Sequence, residues 1–98
     1  MSLKQGDTKK QKTPKQLERY FKGVANHRRV EILQLIAKRR GVTLGDIAEI
    51  LECNFKTISE HTKKLVQAGL VNKKYRGLQV EHDLSPYGER FLEFMKSF

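Results

Sequence analysis

Lys56, Thr57, Ser59, Glu60 and Lys63 fall within one short stretch and between them carry the groups needed to read the edge of a base pair. A lysine donates to guanine O6 and N7, a serine or threonine hydroxyl bonds several edges, and a glutamate accepts from cytosine N4. On a helix that starts near residue 54, Lys56, Ser59 and Glu60 stand near the helix N-terminus on its polar side and are the candidates for base contact. Thr57 and Lys63 suit phosphate contact, which positions a protein without specifying sequence. Asn54 and Phe55 open the same stretch. Phe55 suits packing against the preceding helix, and otherwise a thymine methyl in the major groove. A second basic set, Lys73, Lys74 and Arg76 with Gln79, lies further on, and Arg76 suits a narrow, A·T-rich minor groove. A third, Arg28 and Arg29, opens an earlier helix. Cations there oppose the helix dipole, so a structural role explains them poorly and phosphate contact explains them better.

Other chemistry finds little support. His27, His61 and His82 are scattered over different segments, and a metal site needs a convergent set of three or four ligands. The single cysteine, Cys53, excludes an internal disulfide and reads as core. No Ser-His-Asp grouping, glycine-rich phosphate loop or paired carboxylates stands out. The expectation is a protein that is not an enzyme and needs no metal or cofactor.

The elements that must hold these side chains follow from periodicity. Leu44, Ile47, Ala48 and Leu51 are spaced as one face of a helix, and Ile58 and Leu65, with Val66 and Ala68 nearby, mark a second over 54–68. Thr43 and Asp46 fit a capping box, Asn54 an N-cap, and Gly69 a C-terminal stop. Two such helices joined around Cys53 and Asn54 form a helix-turn-helix. Over 70–84 the period changes to two: Val71, Lys73 and Tyr75 alternate with Asn72, Lys74 and Arg76, and Val80, His82 and Leu84 with Glu81 and Asp83. With a short connection at Gly77 and Leu78 this predicts a β-hairpin, and the combination is a winged helix-turn-helix.

Upstream, Asn26 is suited to cap a helix through Val30, Leu33, Ile36 and Ala37 that ends at Lys38, Arg39, Arg40 and Gly41. Its wide apolar stripe predicts burial on more than one side. Before it, Pro14 is placed to open a helix through Leu17, Tyr20, Phe21 and Val24, which Gly23 ends or weakens. Downstream, Ser85-Pro86 opens a last helix carrying Phe91, Leu92, Phe94, Met95 and Phe98. One small core has little room for both apolar sets, so Leu17, Tyr20, Phe21, Phe91, Leu92, Phe94, Met95 and Phe98 are assigned to a dimer interface, the alternative being that the two terminal helices cover each other within one subunit.

The chain has 98 residues and a formal net charge of +9, from 20 Lys and Arg against 11 Asp and Glu. The length suggests one domain over 16–98 after a flexible basic arm over 1–15, whose five lysines and one aspartate carry part of the excess charge. A basic domain implies a polyanionic partner, nucleic acid most commonly. Nothing has the length and composition of a membrane span or a signal peptide, so the expected location is cytoplasmic.

Ile47 to Val71, IAEILECNFKTISEHTKKLVQAGLV, resembles the core of the arsenic-repressor (ArsR) type of regulator: a T-[VI]-S-x-H-x-x-x-L helix closed by AGLV, matched here by Thr57, Ile58, Ser59, His61, Leu65, Ala68, Gly69, Leu70 and Val71. Asn26 to Arg29 is similar to the family's N-x-x-R opening, and the resemblance implies that His61 is a structural residue, partly buried and hydrogen-bonded. Leu84 to Gly88 is similar to the L-[ST]-x-x-G turn of the multiple-antibiotic-resistance (MarR) type. The chain departs from the family at Thr62 and Lys64, where apolar residues are common, and at Phe55. It also lacks the paired cysteines of metal-sensing members, having Leu44, Gly45 and Asp46 in that region. The expected fold class is mainly α with a small β-hairpin (α+β): a three-helix DNA-binding core, a wing, and flanking N- and C-terminal dimerisation helices. The resemblance implies a homodimeric transcriptional regulator, a repressor by preference, acting on double-stranded DNA. An effector, if there is one, is left unspecified. The alternative is a winged helix used for protein contact within a transcription complex.

Overall fold

The computed structural model describes residues 11–98, so most of the stretch read as a basic arm lies outside the described residues. The elements run α1 (Pro14–Val24), α2 (His27–Lys38), α3 (Leu44–Ile50), α4 (Phe55–Gln67), β1 (Val71–Arg76), β2 (Gln79–Leu84) and α5 (Pro86–Lys96). Local chemistry sets almost every helix start. Thr13 and Gln16 form a capping box on α1, so the helix opens inside the segment assigned to the arm, whose last residues are ordered. Asn26 accepts from the amides of Arg28 and Arg29. Thr43 and Asp46 cap α3 reciprocally, and Asn54 and Ser85 cap α4 and α5.

β1 and β2 pair antiparallel from Val71↔Leu84 to Arg76↔Gln79, leaving Gly77 and Leu78 as the whole turn. Gly77 has φ 60° and Leu78 is not in the positive-φ region, the pattern of a type II′ hairpin. Val42 bridges to His82, which ties the α2–α3 connection to the hairpin. The strand faces alternate as the period requires, but burial does not follow them outward. Val71, His82 and Leu84 are buried at the base, whereas Lys73 and Tyr75 are exposed because the ribbon projects past the core.

That core is Ile32, Leu33 and Ile36 of α2, Ile47 of α3, Ile58 and Leu65 of α4, and Leu70, Val71 and Leu84 around the hairpin base. One sequence expectation needs correction and two are sharpened. Gly23 stands one residue before the end of α1 at Val24, close to where it was expected to end or weaken the helix. It sits within the helix against α4, where a Cβ would lie 2.3 Å from the Ala68 Cβ, so its role is close approach. Tyr20 and Leu92, grouped with the surplus apolar residues, belong to this chain's own core, and Phe91 and Met95 are half-buried against it. The terminal helices do in part cover each other: Phe21 meets Phe91 edge-on at 5.3 Å and Tyr20 meets Tyr87 at 5.1 Å. Thr62, which the sequence places on a thin part of the α4 stripe, is fully buried.

Candidate nucleic-acid interface

α4 turns Ile58, Thr62 and Leu65 into the core, and this fixes what faces out. Lys56, Glu60, Lys63 and Gln67, spaced four, three and four residues apart, form one exposed row on the opposite side. Ser59 lies on one flank and is half-buried, so its hydroxyl is less available than its position suggested. Thr57 lies on the other flank with Lys64 and is exposed. The Asn54 side-chain oxygen accepts from the Thr57 amide at 3.2 Å, so Asn54 fixes the start of the helix and leaves its amide nitrogen for any outside partner. Phe55 is 56% exposed, contrary to the packing expected of it. It is absent from the apolar residues packed against the core, whereas Ile58, three residues on, is fully buried.

The turn before α4 contains no glycine, yet it requires left-handed backbone at one residue. Glu52 takes φ 51°. At the other end, Gly69 at φ 82° stops α4. The Ser85 hydroxyl donates to the Gly69 carbonyl at 2.6 Å and accepts from the Gly88 amide at 3.0 Å, while the Ser85 amide donates to the Leu70 carbonyl at 3.0 Å. The C-terminal end of α4 is thereby tied to the end of the hairpin and the start of α5.

On the hairpin, Lys73, Lys74, Arg76 and Gln79 are all exposed. Arg76 donates through Nε to Glu81 at 2.9 Å, a pairing that a phosphate would have to replace. Lys73 and Lys74 are in no ion pair among the described residues. At the hairpin's base Arg40 is shared between Asp83 and Glu89, joining the end of α2 to β2 and α5, and it holds the Asp83 carboxyl below its usual range. His82 is buried and its Nδ1, in the tautomer that carries the proton there, donates to the Val42 carbonyl at 3.0 Å. Burial lowers its pKa.

α2 brings its N-terminus to the flank of α4. Arg28 is paired with Glu31 at 2.8 Å, and Arg29 is half-buried with its Nε enclosed and unpartnered. His61 faces this end, and its pKa is lowered by burial first and then by Arg29 and Arg28. Its Nδ1 makes no hydrogen bond among the described residues, so the bonded state expected for it is not observed. α4 thus packs against both α2 and β1, and all three elements carry cations, which together make up the candidate interface. Lys64 and Gln67 belong to it and were missed, because their spacing with Lys56 and Lys63 shows only once the buried face is known.

The family model described as "Bacterial regulatory protein, arsR family" matches residues 26–73. The arsenical resistance operon repressor of Bacillus subtilis (strain 168) is 30% identical over 79 residues, which span 81% of this chain and 75% of that protein. Among solved structures, HlyU from Vibrio cholerae N16961 superposes with a TM-score of 0.77 at 26% identity, over 87% of this chain and 92% of that one. The homodimeric winged helix-turn-helix DNA-binding domain Mb0332 from Mycobacterium bovis, a possible ArsR-family regulator, gives 0.78 at 23% identity, over 99% of this chain and 85% of that one, a likeness of fold. No described helix is long and apolar enough to cross a membrane.

Proposed function

We propose that this chain, which belongs to the ArsR family of bacterial transcriptional regulators, is a dimeric repressor that reads a near-palindromic duplex with α4 in the major groove and the β1–β2 hairpin as its wing. The observation that carries the reading is the row Lys56, Glu60, Lys63 and Gln67, held outward by a helix capped at both ends. Lys56 and Glu60 are the base-reading pair, with Ser59 and Phe55 on one flank for a further edge or a thymine methyl. Thr57, Lys63, Lys73 and Lys74 meet phosphates, and Arg76 leaves Glu81 for the minor groove. Arg28 and Arg29 meet the backbone beside α4.

The second subunit docks on the surplus left over once the chain's own core is filled. Leu17, Phe21, Phe94 and Phe98 remain between 43% and 94% exposed, and Phe21, Phe91 and Phe94 line a shallow apolar groove of about 220 Å³. Pairing two copies there sets two α4 helices roughly 34 Å apart, one turn of duplex.

Selection of bound sequences from a random duplex pool, followed by titration at several salt concentrations, tests this directly. Affinity should fall steeply with salt. Lys56→Ala should relax discrimination at its base position by about 1–3 kcal/mol, whereas Lys73→Ala should weaken all duplexes alike. A Lys56→Ala protein that ranks duplexes as the parent does would remove α4 from the groove. A monomer that ignores duplex even at low salt would favour the protein-contact role.

A further inference from the structure

Four cations converge where α1, α2 and α4 meet. Arg19 and Lys22 come from α1, Arg29 from α2 and Lys64 from α4. With Gln67 and Gly23 they line a groove of about 360 Å³ that no carboxylate lines. Among the described residues, Lys22 alone of the four has an acidic partner, Glu18 at 3.0 Å, and that pair is exposed. Like charges held together raise the energy of the folded state, and the approach that brings them together is built in. Gly23 lets α1 close onto Ala68 of α4, and any larger residue there would hold the two helices apart.

Arg29 is the second observation. A guanidinium has five N–H donors. Here Nη2 makes one long bond, 3.5 Å to the Lys22 carbonyl, and the enclosed Nε makes none. A half-buried guanidinium with donors to spare is costly unless it has an acceptor. It faces a groove whose other walls are cationic, so the acceptor that fits is an anion with several oxygens. His61, on the same side of α4, titrates low partly because of Arg29 and Arg28, which registers the same field.

We infer that this groove is a phosphate-binding site, with Arg29 as its forked donor and Arg19, Lys22 and Lys64 neutralising the charge. Two sources carry that chemistry: the backbone of a bound duplex, and a free phosphorylated small molecule acting as an effector. The free-ligand arm stands independently of the duplex reading, because it can be measured without DNA.

The full chain is titrated calorimetrically with inorganic pyrophosphate at low salt, and separately with a selected duplex. The variants are Arg29→Gln, Lys64→Gln and, outside the groove, Lys96→Gln, which carries the same change of net charge. Lys64 is exposed, so its variant should fold even if Arg29→Gln does not. A free-ligand site predicts saturable pyrophosphate binding, weakened about tenfold by Lys64→Gln and unaffected by Lys96→Gln, with a pyrophosphate affinity that a bound duplex leaves unchanged. A backbone site predicts that Lys64→Gln lowers duplex affinity and reduces the slope of log affinity against log salt by about one, with pyrophosphate competing against the duplex. If Lys64→Gln and Lys96→Gln behave alike toward both probes, the groove is only part of a diffuse basic surface and the inference fails. A parent that binds pyrophosphate but no duplex would sink the repressor reading and leave this site standing.

Discussion

Two glycines in helices should respond to alanine with opposite signs. At Gly88, in the first turn of α5, a Cβ would lie 2.1 Å from the Leu70 carbonyl oxygen and 3.2 Å from its carbon. Ordinary contact between a methyl carbon and a carbonyl oxygen is more than an ångström longer than the first distance. The obstacle is backbone, and that oxygen already accepts from the Ser85 amide at 3.0 Å. Relief therefore requires α5 to move as a unit or the Ser85 bond to break. Overpacking of this kind costs about 1–3 kcal/mol, and the better helix propensity of alanine returns about 0.5–1. The net expectation is a loss of about 1–2 kcal/mol, or roughly 5–15 °C in Tm for a domain of this size. At Gly45 in α3, which does not have positive φ, the nearest atom to a Cβ is the Thr43 hydroxyl at 3.8 Å. With nothing to displace, Gly45→Ala should gain about 0.5–1 kcal/mol. Thermal unfolding followed by circular dichroism, at one protein concentration because a dimer's Tm depends on it, separates the two. A Gly88→Ala protein as stable as the parent would show that the α4–hairpin–α5 junction is looser than drawn. The Gly45→Ala control would then show whether helix propensity alone governs both sites.

Other perturbations test other parts of the structure. His82 and His61 both titrate below 6.5 when folded, so the unfolded chain takes up protons first as the solution is acidified. Their contribution to stability should be complete above about pH 6.5 and be lost as pH falls through the folded values, seen as a falling urea midpoint. A midpoint that rises on acidification would contradict this. Phe21→Glu combined with Phe94→Glu should give a monomer by light scattering with unchanged helicity, and a persisting dimer would move the interface elsewhere. The buried Thr62 hydroxyl has no hydrogen-bond partner among the described residues, so Thr62→Val should raise stability by about 1 kcal/mol. A loss in urea titration would mean that the hydroxyl is satisfied in solution.

What the sequence shows well is what neighbouring residues decide among themselves. The caps at Asn26, Thr43 with Asp46, Asn54 and Ser85 all form as their spacing requires, because an N-cap is a bond between residues two or three apart. The hairpin register and the stop at Gly69 are local in the same sense. What periodicity withholds is how far another element reaches over a face. Phe55 and Leu92 are both apolar at helical spacing, yet one is exposed and the other is core. That difference lies in α3 and α2, not in the residues themselves. Gly23 reads as a helix end or weak point, and Gly88 only as the last residue of a turn motif, until the atoms they make room for, Ala68 Cβ and Leu70 O, are known. The basic groove was out of reach for the same reason, because its four cations come from three helices.

The two ends of α4 are held very differently, and this bears on how the helix would meet a duplex. Its apolar stripe is narrow: Ile58, Leu65 and Ala68, with Thr62 giving methyl contact but no bond. Extra restraint is concentrated at the C-terminal end, where Gly23 packs on Ala68, Ser85 bonds the Gly69 carbonyl, and the Leu70 carbonyl accepts from Ser85 against Gly88. The N-terminal end has its own cap at Asn54 and the strained turn at Glu52, with Phe55, Lys56 and Thr57 exposed. Ile58 anchors the first turn in the core, so the freedom left at that end belongs to the exposed side chains of Phe55, Lys56 and Thr57. Of the residues assigned to base reading, Phe55 and Lys56 lie on that first turn and Ser59 and Glu60 on the next, so fit to a sequence is adjusted chiefly through the exposed side chains of Lys56 and Glu60. Substitutions at the pinned end should change stability first, and those at the free end should change sequence preference first.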